Sequence, residues 1–254
     1  MTRSPPAVRF GLGIAGVVVL GLAWHLATTL QLVPRVFLPS PEATWKALQR
    51  GLSVGDMANQ FGGTVQRMLL GWLLASIVAI AIGSLIGISP LARAYLRPTL
   101  GFLRALPASA TIPIAIALVG LSPTMVLAVV TFGSIWPTLL ATVQGFAMVE
   151  PRLIEVSRAL HMSRLAFIWK IGLPNALPDI LTGMRLSMTV ALILAVIGEM
   201  LAAQSGLGQA ILLAARSFRT PDLYAGIVLL GLIGAVSSYG LQLVERRLLR
   251  WKSH

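Results

Sequence analysis

The sequence of 254 residues contains no cysteine. The chain therefore has no disulfide bond, no thiolate metal site and no cysteine nucleophile. Histidine is also scarce, because the three histidines, His25, His161 and His254, stand far apart and form no H-E-x-x-H pattern. Protein zinc sites depend mainly on clusters of these two residue types. We therefore expect neither a metal ion nor a catalytic residue in this chain.

The sequence also lacks a phosphate-binding loop for ATP. The pattern G-x-x-x-x-G-K-[ST] does not occur, and no glycine is followed directly by lysine. Such a loop holds the phosphates of ATP through its glycine-rich backbone and its lysine. We therefore expect no cofactor bound by this chain, and if ATP drives it, another polypeptide must bind the ATP and its Mg²⁺.

Charged residues are few, and they are unevenly distributed. Only 11% of the residues are charged and 56% are hydrophobic, and the mean hydropathy is +0.85. A water-soluble domain of this length does not need so much apolar surface, so the composition indicates a polytopic membrane protein. Lys and Arg outnumber Asp and Glu by 20 to 8, but they stand between apolar runs, where they set topology rather than bind nucleic acid.

Five or six segments approach the roughly 20 apolar residues that a membrane-spanning helix needs. The N-terminal run is long for a signal peptide and has no convincing cleavage site, so we interpret it as a retained first span. The uncharged stretch 105–149 is too long for one span and divides at 120–123 into a third helix, interrupted by Pro107 and Pro113, and a fourth. Arg185 and Glu199 lie near the ends of the fifth span, where they could snorkel to an interface. Apart from the third span, the predicted bounds of the spans are 10–30, 68–88, 125–147, 180–203 and 223–244.

The distribution of basic residues predicts the topology. If the N-terminus is cytoplasmic, fourteen Lys and Arg residues fall in cytoplasmic segments. Six fall outside: Arg35, Lys46, Arg50, Arg67, Arg216 and Arg219. This bias supports an even number of spans with both termini in the cytoplasm. The fold class predicted is thus all-α, a bundle of about six transmembrane helices, formed by residues 1–254 as a single domain.

The longest segment predicted outside the membrane, residues 31–66, contains a short amphipathic stretch. A proline-rich entry precedes Ala43, Trp45, Ala47 and Leu48, which alternate with charged residues. This pattern is typical of a helix that lies in the membrane interface. We expect such a helix at the outer interface of the membrane.

The stretch EVSRALHMSRLAFIWKIGLP, residues 155–174, is basic and has helical periodicity although it stands between two apolar runs. Pro151 suits the first turn of one helix, and Ser163 can cap a second helix that carries Leu165 and Trp169. Leu173-Pro174 is predicted to end the second helix. The sequence thus predicts a helix-turn-helix over 151–174 on the cytoplasmic side, and for an arbitrary membrane protein such a segment is an interfacial connector.

The order of residues in this stretch resembles the EAA loop of binding-protein-dependent ABC importer permeases. Other stretches are similar to the nitrate/sulfonate/taurine subgroup of that family, in the same order along the chain. They are LPSPEATWKAL at 38–48, TVQRMLLGW at 64–72, LRPTLGFLRALPASATIP at 96–113, LPNALPDILTGMRLSM at 173–188, GEMLAAQSGLG at 198–208 and ERRLLRW at 245–251.

The resemblance implies a function in transport. A permease of this family, of the type I importer fold, lies in a bacterial inner membrane, which would place residues 31–66 on the periplasmic side. It pairs with a second permease, here a second copy, and works with two cytoplasmic ATPase subunits and an external substrate-binding protein. The substrate would be a small solute, such as a sulfonate, taurine, nitrate or a related organic anion or vitamin precursor. The alternatives are a stand-alone secondary transporter, for which paired interrupted helices and buried coupling residues are not evident, and a membrane scaffold or enzyme.

The resemblance implies that this loop forms the coupling helix, which binds to the ATPase subunit. The chain departs from the family in having Glu155-Val156-Ser157 where Glu-Ala-Ala is usual, and His161 where a glycine is usual. A helix often ends at a residue with positive φ, which glycine adopts at least cost. His161 is therefore either a tolerated turn residue or a contact to the ATPase. The coupling residues implied are Glu155, Ser157, Arg158, Ala159, Leu160, His161, Leu165 and Pro174.

Polar residues within the fourth and fifth spans are candidates for the lining of a translocation pathway. Ser and Thr also pack helices together in lipid, so each has a structural alternative. A carboxylate at the end of a span is costly unless it is hydrated or paired, and we expect Glu199 to face water at the outer mouth or to contact a binding protein. The candidates are Thr131, Ser134, Ser187, Thr189 and Glu199.

Overall fold

A computed structural model describes the backbone of residues 6–250 and the side chains of residues 15–250. Within residues 6–250 every regular element is helical, so the all-α prediction is confirmed. The basic side chains of Arg3, Arg9 and Lys252, which entered the predicted topology, lie outside the described residues, as does His254. The helices are α1 Pro6–Thr29, α2 Pro41–Ser53, α3 Met57–Gly87, α4 Pro90–Ala105, α5 Ile112–Val119, α6 Pro123–Ala147, α7 Pro151–Ala159, α8 Arg164–Phe167, α9 Leu173–Ala202, α10 Leu207–Arg216 and α11 Thr220–Leu248.

Three of these helices begin at a Ser-Pro pair. Ser40, Ser89 and Ser122 each accept a hydrogen bond from the backbone N–H three residues on, with distances of 3.2, 3.2 and 3.1 Å. The proline that follows each serine occupies the first turn, where its missing N–H costs no hydrogen bond. The Ser-Pro pairs therefore determine where α2, α4 and α6 start.

Four helical segments with described side chains are long and apolar enough to cross a membrane: Met57–Gly87, Pro123–Ala147, Arg164–Ala202 and Thr220–Leu248. A fifth candidate consists of α4 and the segment Ala108–Val119, which meet at an angle of 79°. The predicted first span, 10–30, falls partly on side chains outside the described residues, and its described part is the apolar helix Ala15–Thr29. A multi-pass helical membrane protein is confirmed, while the sixth span stays a prediction.

The second span begins earlier in the structure than the sequence predicts. The second span was predicted to begin at residue 68, but α3 begins at Met57 and has 31 residues. At 1.5 Å per residue this helix is about 46 Å long, so it extends well beyond a hydrocarbon core of about 30 Å. The predicted outer segment 31–66 therefore ends in a helical extension of the span, because a helix continues past its apolar run where tertiary contacts hold it.

The second helix of the predicted helix-turn-helix does not end at Leu173-Pro174, contrary to the prediction. Instead α8, a π-helical turn over Ile168–Gly172 and α9 form one continuous segment, Arg164–Ala202. The N–H of Leu173 bonds to the carbonyl of Ile168 five residues back. This wider turn accommodates Pro174, which has no N–H to donate, so the proline does not break the helix.

The core of the larger unit is formed where α6 packs against α9 through small residues. A Cβ added at Gly145 would come within 2.7 Å of the Cβ of Ala176, and one at Gly183 within 2.5 Å of the Cβ of Ala141. Small side chains at such positions allow the backbones of two membrane helices to approach closely. Phe146 and Ile180 are buried beside this contact.

The described residues divide into two compact units. One contains the residues up to 59 and residues 210–230, and the other contains residues 60–209 and those from 231 onward. In the smaller unit, the indole of Trp24 donates to the carbonyl of Pro39 at 3.0 Å and stacks on Tyr224 at 5.9 Å between ring centroids. The short helix predicted within residues 31–66 is present as α2. Its position in a membrane interface stays a prediction, and so does the single-domain organisation.

Candidate functional site

Glu199, the most conspicuous polar residue of the predicted spans, lies near the C-terminal end of α9. Its side chain is fully buried. Arg67 on α3 donates from Nη1 to Oε1 of this carboxylate at 2.7 Å, and the hydroxyl of Thr64 lies 2.9 Å from Oε2. The backbone N–H of Gly208 donates to Oε2 at 3.0 Å. The carboxylate therefore has a charged partner and two further hydrogen-bond partners.

The same residues hold the turn that joins α9 to α10. Arg67 Nη1 also donates to the carbonyl of Ser205 at 2.8 Å, and the N–H of Leu207 donates to Thr64 Oγ1 at 2.9 Å. Leu207 and Gly208 are the first residues of α10. A carboxylate at the positive end of a helix is electrostatically favourable, so Glu199 caps α10 while Arg67 compensates its charge.

The stretch GEMLAAQSGLG needs glycine at Gly206 because the backbone passes close to the carboxylate. A Cβ at this position would lie 2.2 Å from Cδ of Glu199, which is closer than real Cβ contacts. At the preceding turn, Ala203 adopts a left-handed conformation with φ of 51°, and the N–H of Gln204 bonds to the carbonyl of Glu199 at 3.1 Å. The 198–208 stretch is thus a turn built around one buried carboxylate.

The expectation that Glu199 faces water at an outer mouth is not met in this structure, since the side chain is paired and has no exposed surface. The cost of placing a charge at the end of a span is reduced by an ion pair rather than by hydration. The sequence contained a signal for this partner, because Arg67 is the single basic residue within α3 and stands directly before its apolar run. Sequence reasoning assigned Arg67 to topology alone.

The other pathway candidates are in different environments. Ser134 and Ser187 are fully buried, and the hydroxyl of Ser187 on α9 donates to the carbonyl of Ser134 on α6. This contact joins the two helices, as expected from the helix-packing alternative. Thr131 is partly buried and bonds to the carbonyl of Leu127 at 2.8 Å, whereas Thr189 is exposed. Whether any of them lines a pathway stays a prediction.

The loop between α6 and α9 has a well-defined turn at His161. This residue has φ of 51°, so His161 adopts the left-handed conformation for which a glycine is usual at this break. The N–H of His161 bonds to the carbonyl of Arg158, and the N–H of Met162 bonds to that of Ser157, both at 3.0 Å. These two bonds form a Schellman motif, which satisfies carbonyls at the C-terminus of α7.

The next helix is capped as the sequence predicts. Ser163 accepts a hydrogen bond from the N–H of Ala166 at 3.2 Å. Ser157 is buried and its hydroxyl donates to the carbonyl of Ile154 at 2.7 Å, so Ser157 stabilises α7 from within. The remaining predicted coupling residues on the loop are exposed: Glu155, Arg158, Ala159, Leu160, His161 and Leu165.

Several apolar side chains on this loop are at least half exposed, because no other described residue packs over them. We define the loop surface by Val156, Leu160, Leu165 and Trp169, which are 50%, 67%, 65% and 66% exposed. The first two are four residues apart on α7 and the last two are four apart around α8, so each pair lies on one helical face. Large exposed apolar side chains of this kind make the loop a candidate surface for contact with another protein or with lipid. Pro174, predicted to close the loop, is instead part of α9.

A second ion pair joins two spans and was not found from the sequence. Arg185 on α9 donates from Nη2 to Oε2 of Glu245 on α11. Arg185 was expected to snorkel to an interface, but its guanidinium is only partly exposed and finds its partner on another helix. The available signal was that Arg185 is the single basic residue of α9 and that Glu245 is the single acidic residue near the C-terminal end of α11.

One pattern typical of hydrolases occurs in the chain. Residues 51–55 read G-x-S-x-G, which in α/β-hydrolases places a serine on a turn from a strand to a helix. Here Ser53 is the last residue of α2. Since no strand precedes it, the pattern has none of the geometry that would support nucleophilic chemistry.

The chain was compared with known families and proteins. The family described as "Binding-protein-dependent transport system inner membrane component" matches residues 68–250. The chain is 30% identical over 253 residues to the putative aliphatic sulfonates transport permease protein SsuC of Bacillus subtilis (strain 168), covering 99% of this chain and 92% of that protein. It is 28% identical over 254 residues to the taurine transport system permease protein TauC of Escherichia coli (strain K12), covering 98% and 92%.

The fold was compared in the same way. The inward-facing MetNI methionine ABC transporter contains a chain that matches with a TM-score of 0.66 at 18% identity. The match covers 80% of this chain and all of the other, 100%. At this identity the likeness concerns the fold.

Proposed function

Because the chain belongs to the family of inner-membrane components of binding-protein-dependent transport systems, we propose that two copies of it form the translocation pathway of an ATP-driven importer. The chain is a transport permease and not an enzyme. The observation that carries the proposal is the family match over 68–250, which includes the whole of the exposed, capped loop between α6 and α9.

The loop surface is the proposed docking site for a cytoplasmic ATPase, with two ATPase subunits serving two permease copies. Its four apolar side chains are exposed, and the Schellman motif at His161 and the cap at Ser163 fix the two helices that present them. An interface needs such preorganised apolar anchors, since side chains that are already ordered lose less entropy on binding.

The continuous helix Arg164–Ala202 offers a mechanical path for coupling. It begins beside the loop surface and ends at the turn that holds Glu199. At 1.5 Å per residue its 39 residues extend about 58 Å. A rigid helix of this length moves both of its ends together, so closure of the ATPase subunits at α8 would be transmitted along α9. ATP and Mg²⁺ would be bound by the ATPase, since this chain has no phosphate-binding loop.

The substrate proposed is a small solute of the class named for the relatives, an organic sulfonate such as taurine or a related anion, handed over by an external binding protein. Among the pathway candidates, Thr189 on α9 is exposed and Thr131 on α6 is partly exposed, so both are available to a solute. Ser134, Ser187 and Glu199 are buried and would contribute by holding α6, α9 and α10 in place. Both termini are proposed to lie in the cytoplasm of a bacterial cell.

The test uses the assembled complex of permease and ATPase. Leu160→Asp and Leu165→Asp change side chains that are 67% and 65% exposed, so the fold is expected to persist. Central interface residues contribute about 1–4 kcal/mol, and we expect co-purification of the ATPase and substrate-stimulated ATP hydrolysis to fall together. Ala159→Asp and Glu155→Lys test the adjacent face of α7.

Val54→Asp is the matched control, because it places the same charge on an apolar side chain that is 87% exposed outside the loop. It should leave complex formation unchanged. Full complex formation and full coupling in all four loop variants would show that the loop is a connector and would overturn the docking proposal.

A further inference from the structure

A basic groove runs between α4 and α6 in the larger unit. Its volume is about 720 Å³. Arg93, Arg97 and Arg104 line it from α4, and Gln144 lines it from α6. Its remaining walls include the apolar side chains of Leu100, Leu140 and Val143. The groove thus combines three guanidinium groups with an apolar wall.

The arginines share one face of α4 because of their spacing. Positions 93, 97 and 104 are separated by four and seven residues, close to whole numbers of helical turns. Arg93 donates to the carbonyl of Gly87, the last residue of α3. Among the described residues, no carboxylate lies within ion-pair distance of any of the three, and none lines the groove. No described carboxylate therefore compensates the positive charge of the groove.

α4 itself has the character of a helix at a membrane surface. None of its residues is buried, and the apolar side chains of Tyr95 and Phe102 are 74% and 67% exposed. An amphipathic helix with arginine on one side and aromatic residues elsewhere is typical of the interface between headgroups and acyl chains. If α4 lies in that interface as one half of its bent pair with Ala108–Val119, the groove is within reach of the headgroups of a bilayer.

We propose that the groove binds the phosphate oxyanion of an anionic phospholipid headgroup. Arginine binds phosphate through parallel N–H···O bonds, and the amide of Gln144 supplies a further donor. Leu140 and Val143 provide the apolar wall along which the glycerol and the start of an acyl chain lie. Basic pockets between membrane helices bind anionic headgroups in this way. A soluble oxyanion would accept the same hydrogen bonds from the arginines without being part of a lipid.

The test titrates the purified permease, in a neutral detergent, with dioctanoyl phosphatidylglycerol by isothermal titration calorimetry. Arg97 and Arg104 are exposed, so the double variant Arg97→Gln/Arg104→Gln removes no internal partner. Each basic residue contributes about 1 kcal/mol to binding at an anionic surface, so we expect affinity to fall about 30-fold. Arg97→Lys/Arg104→Lys keeps the charge but not the bidentate geometry and should lose less.

Arg35→Gln/Arg50→Gln is the matched control, because it removes the same charge from exposed positions outside the groove. It should bind phosphatidylglycerol like the unaltered protein. Equal loss in this control and in the groove variant, or no loss in the groove variant, would overturn the proposal.

A second arm identifies the source of the oxyanion. Sodium sulfate is compared with sodium chloride at equal ionic strength, and dioctanoyl phosphatidylcholine replaces phosphatidylglycerol. Binding of phosphatidylglycerol that resists sulfate and exceeds that of phosphatidylcholine supports the lipid. If sulfate binds to the lipid-free protein, displaces phosphatidylglycerol and binds more weakly to the groove variant, the same site belongs to a soluble oxyanion. This result would overturn the lipid assignment.

Discussion

Arg67 on α3 and Glu199 on α9 form an ion pair of 2.7 Å in which the carboxylate is completely buried. Thr64 and the N–H of Gly208 complete the surroundings of the carboxylate. One buried charge therefore ties together α3, the C-terminal end of α9 and the start of α10. Removing one partner of such a pair leaves an uncompensated buried charge, which strongly destabilises the fold.

We predict that Arg67→Ala lowers the free energy of unfolding by about 3–5 kcal/mol. Glu199→Gln should cost less, since an amide can still accept from Gly208 and Thr64. Combining Glu199→Gln with Arg67→Met should recover much of the loss because no buried charge then remains. Thermal unfolding in detergent measures all three. If Arg67→Ala unfolds at the temperature of the unaltered protein while transport is lost, the pair acts in the pathway and not in the fold.

Gly206→Ala is predicted to destabilise the turn between α9 and α10. The added Cβ would lie 2.2 Å from Cδ of Glu199, so the carboxylate or the backbone must move. Overpacking of this kind costs about 1–3 kcal/mol. Gly62→Ala is the control, since it adds the same methyl group on α3 with nothing within 4 Å and should leave stability equal or slightly higher. Equal unfolding temperatures for the two variants would contradict the close approach.

Variants of His161 separate its two possible roles. At φ of 51°, glycine is unstrained and a β-branched residue is strained by about 1–2 kcal/mol. His161→Gly should therefore keep both stability and ATPase stimulation, while His161→Val should lower the stability of the loop. Hydrogen exchange of residues 157–162 reports the stability, and substrate-stimulated ATP hydrolysis reports the coupling. Loss of stimulation in His161→Gly with an intact loop would instead show that the imidazole contacts the ATPase.

Single cysteines test the topology cleanly because the chain has none of its own. The variants Asp56→Cys and Arg216→Cys are expected to react from outside the cell with a membrane-impermeant thiol reagent. Cysteine at Arg97 or Ser163 should react only after the membrane is permeabilised. All four positions are exposed, so poor reactivity cannot result from burial in this chain. Labelling of Ser163 from outside would reverse the orientation and remove the loop surface from the cytoplasm.

Local signals in the sequence predicted well wherever one residue acts on its own backbone. The cap at Ser163 was predicted, because it depends only on a hydrogen bond to the backbone three residues on. The turn at His161 was left open, and the structure gives it the positive φ for which a glycine is usual there. The helix starts at Ser89 and Ser122 follow the same Ser-Pro rule as Ser40. By contrast, Pro174 was predicted to end a helix and did not, since a π-helical turn over Ile168–Gly172 absorbs it.

The sequence by itself determined the class of the protein, the multi-pass helical fold and the family, because apolar run length and motif order are properties of the chain. Only the tertiary structure decided what Glu199 and Arg185 do. Their partners, Arg67 and Glu245, are 132 and 60 residues away in sequence, and the period of a helix fixes which face a residue occupies but not which helix it meets. A buried charge is stable only beside its counter-charge, and the packing of the spans supplies that neighbour.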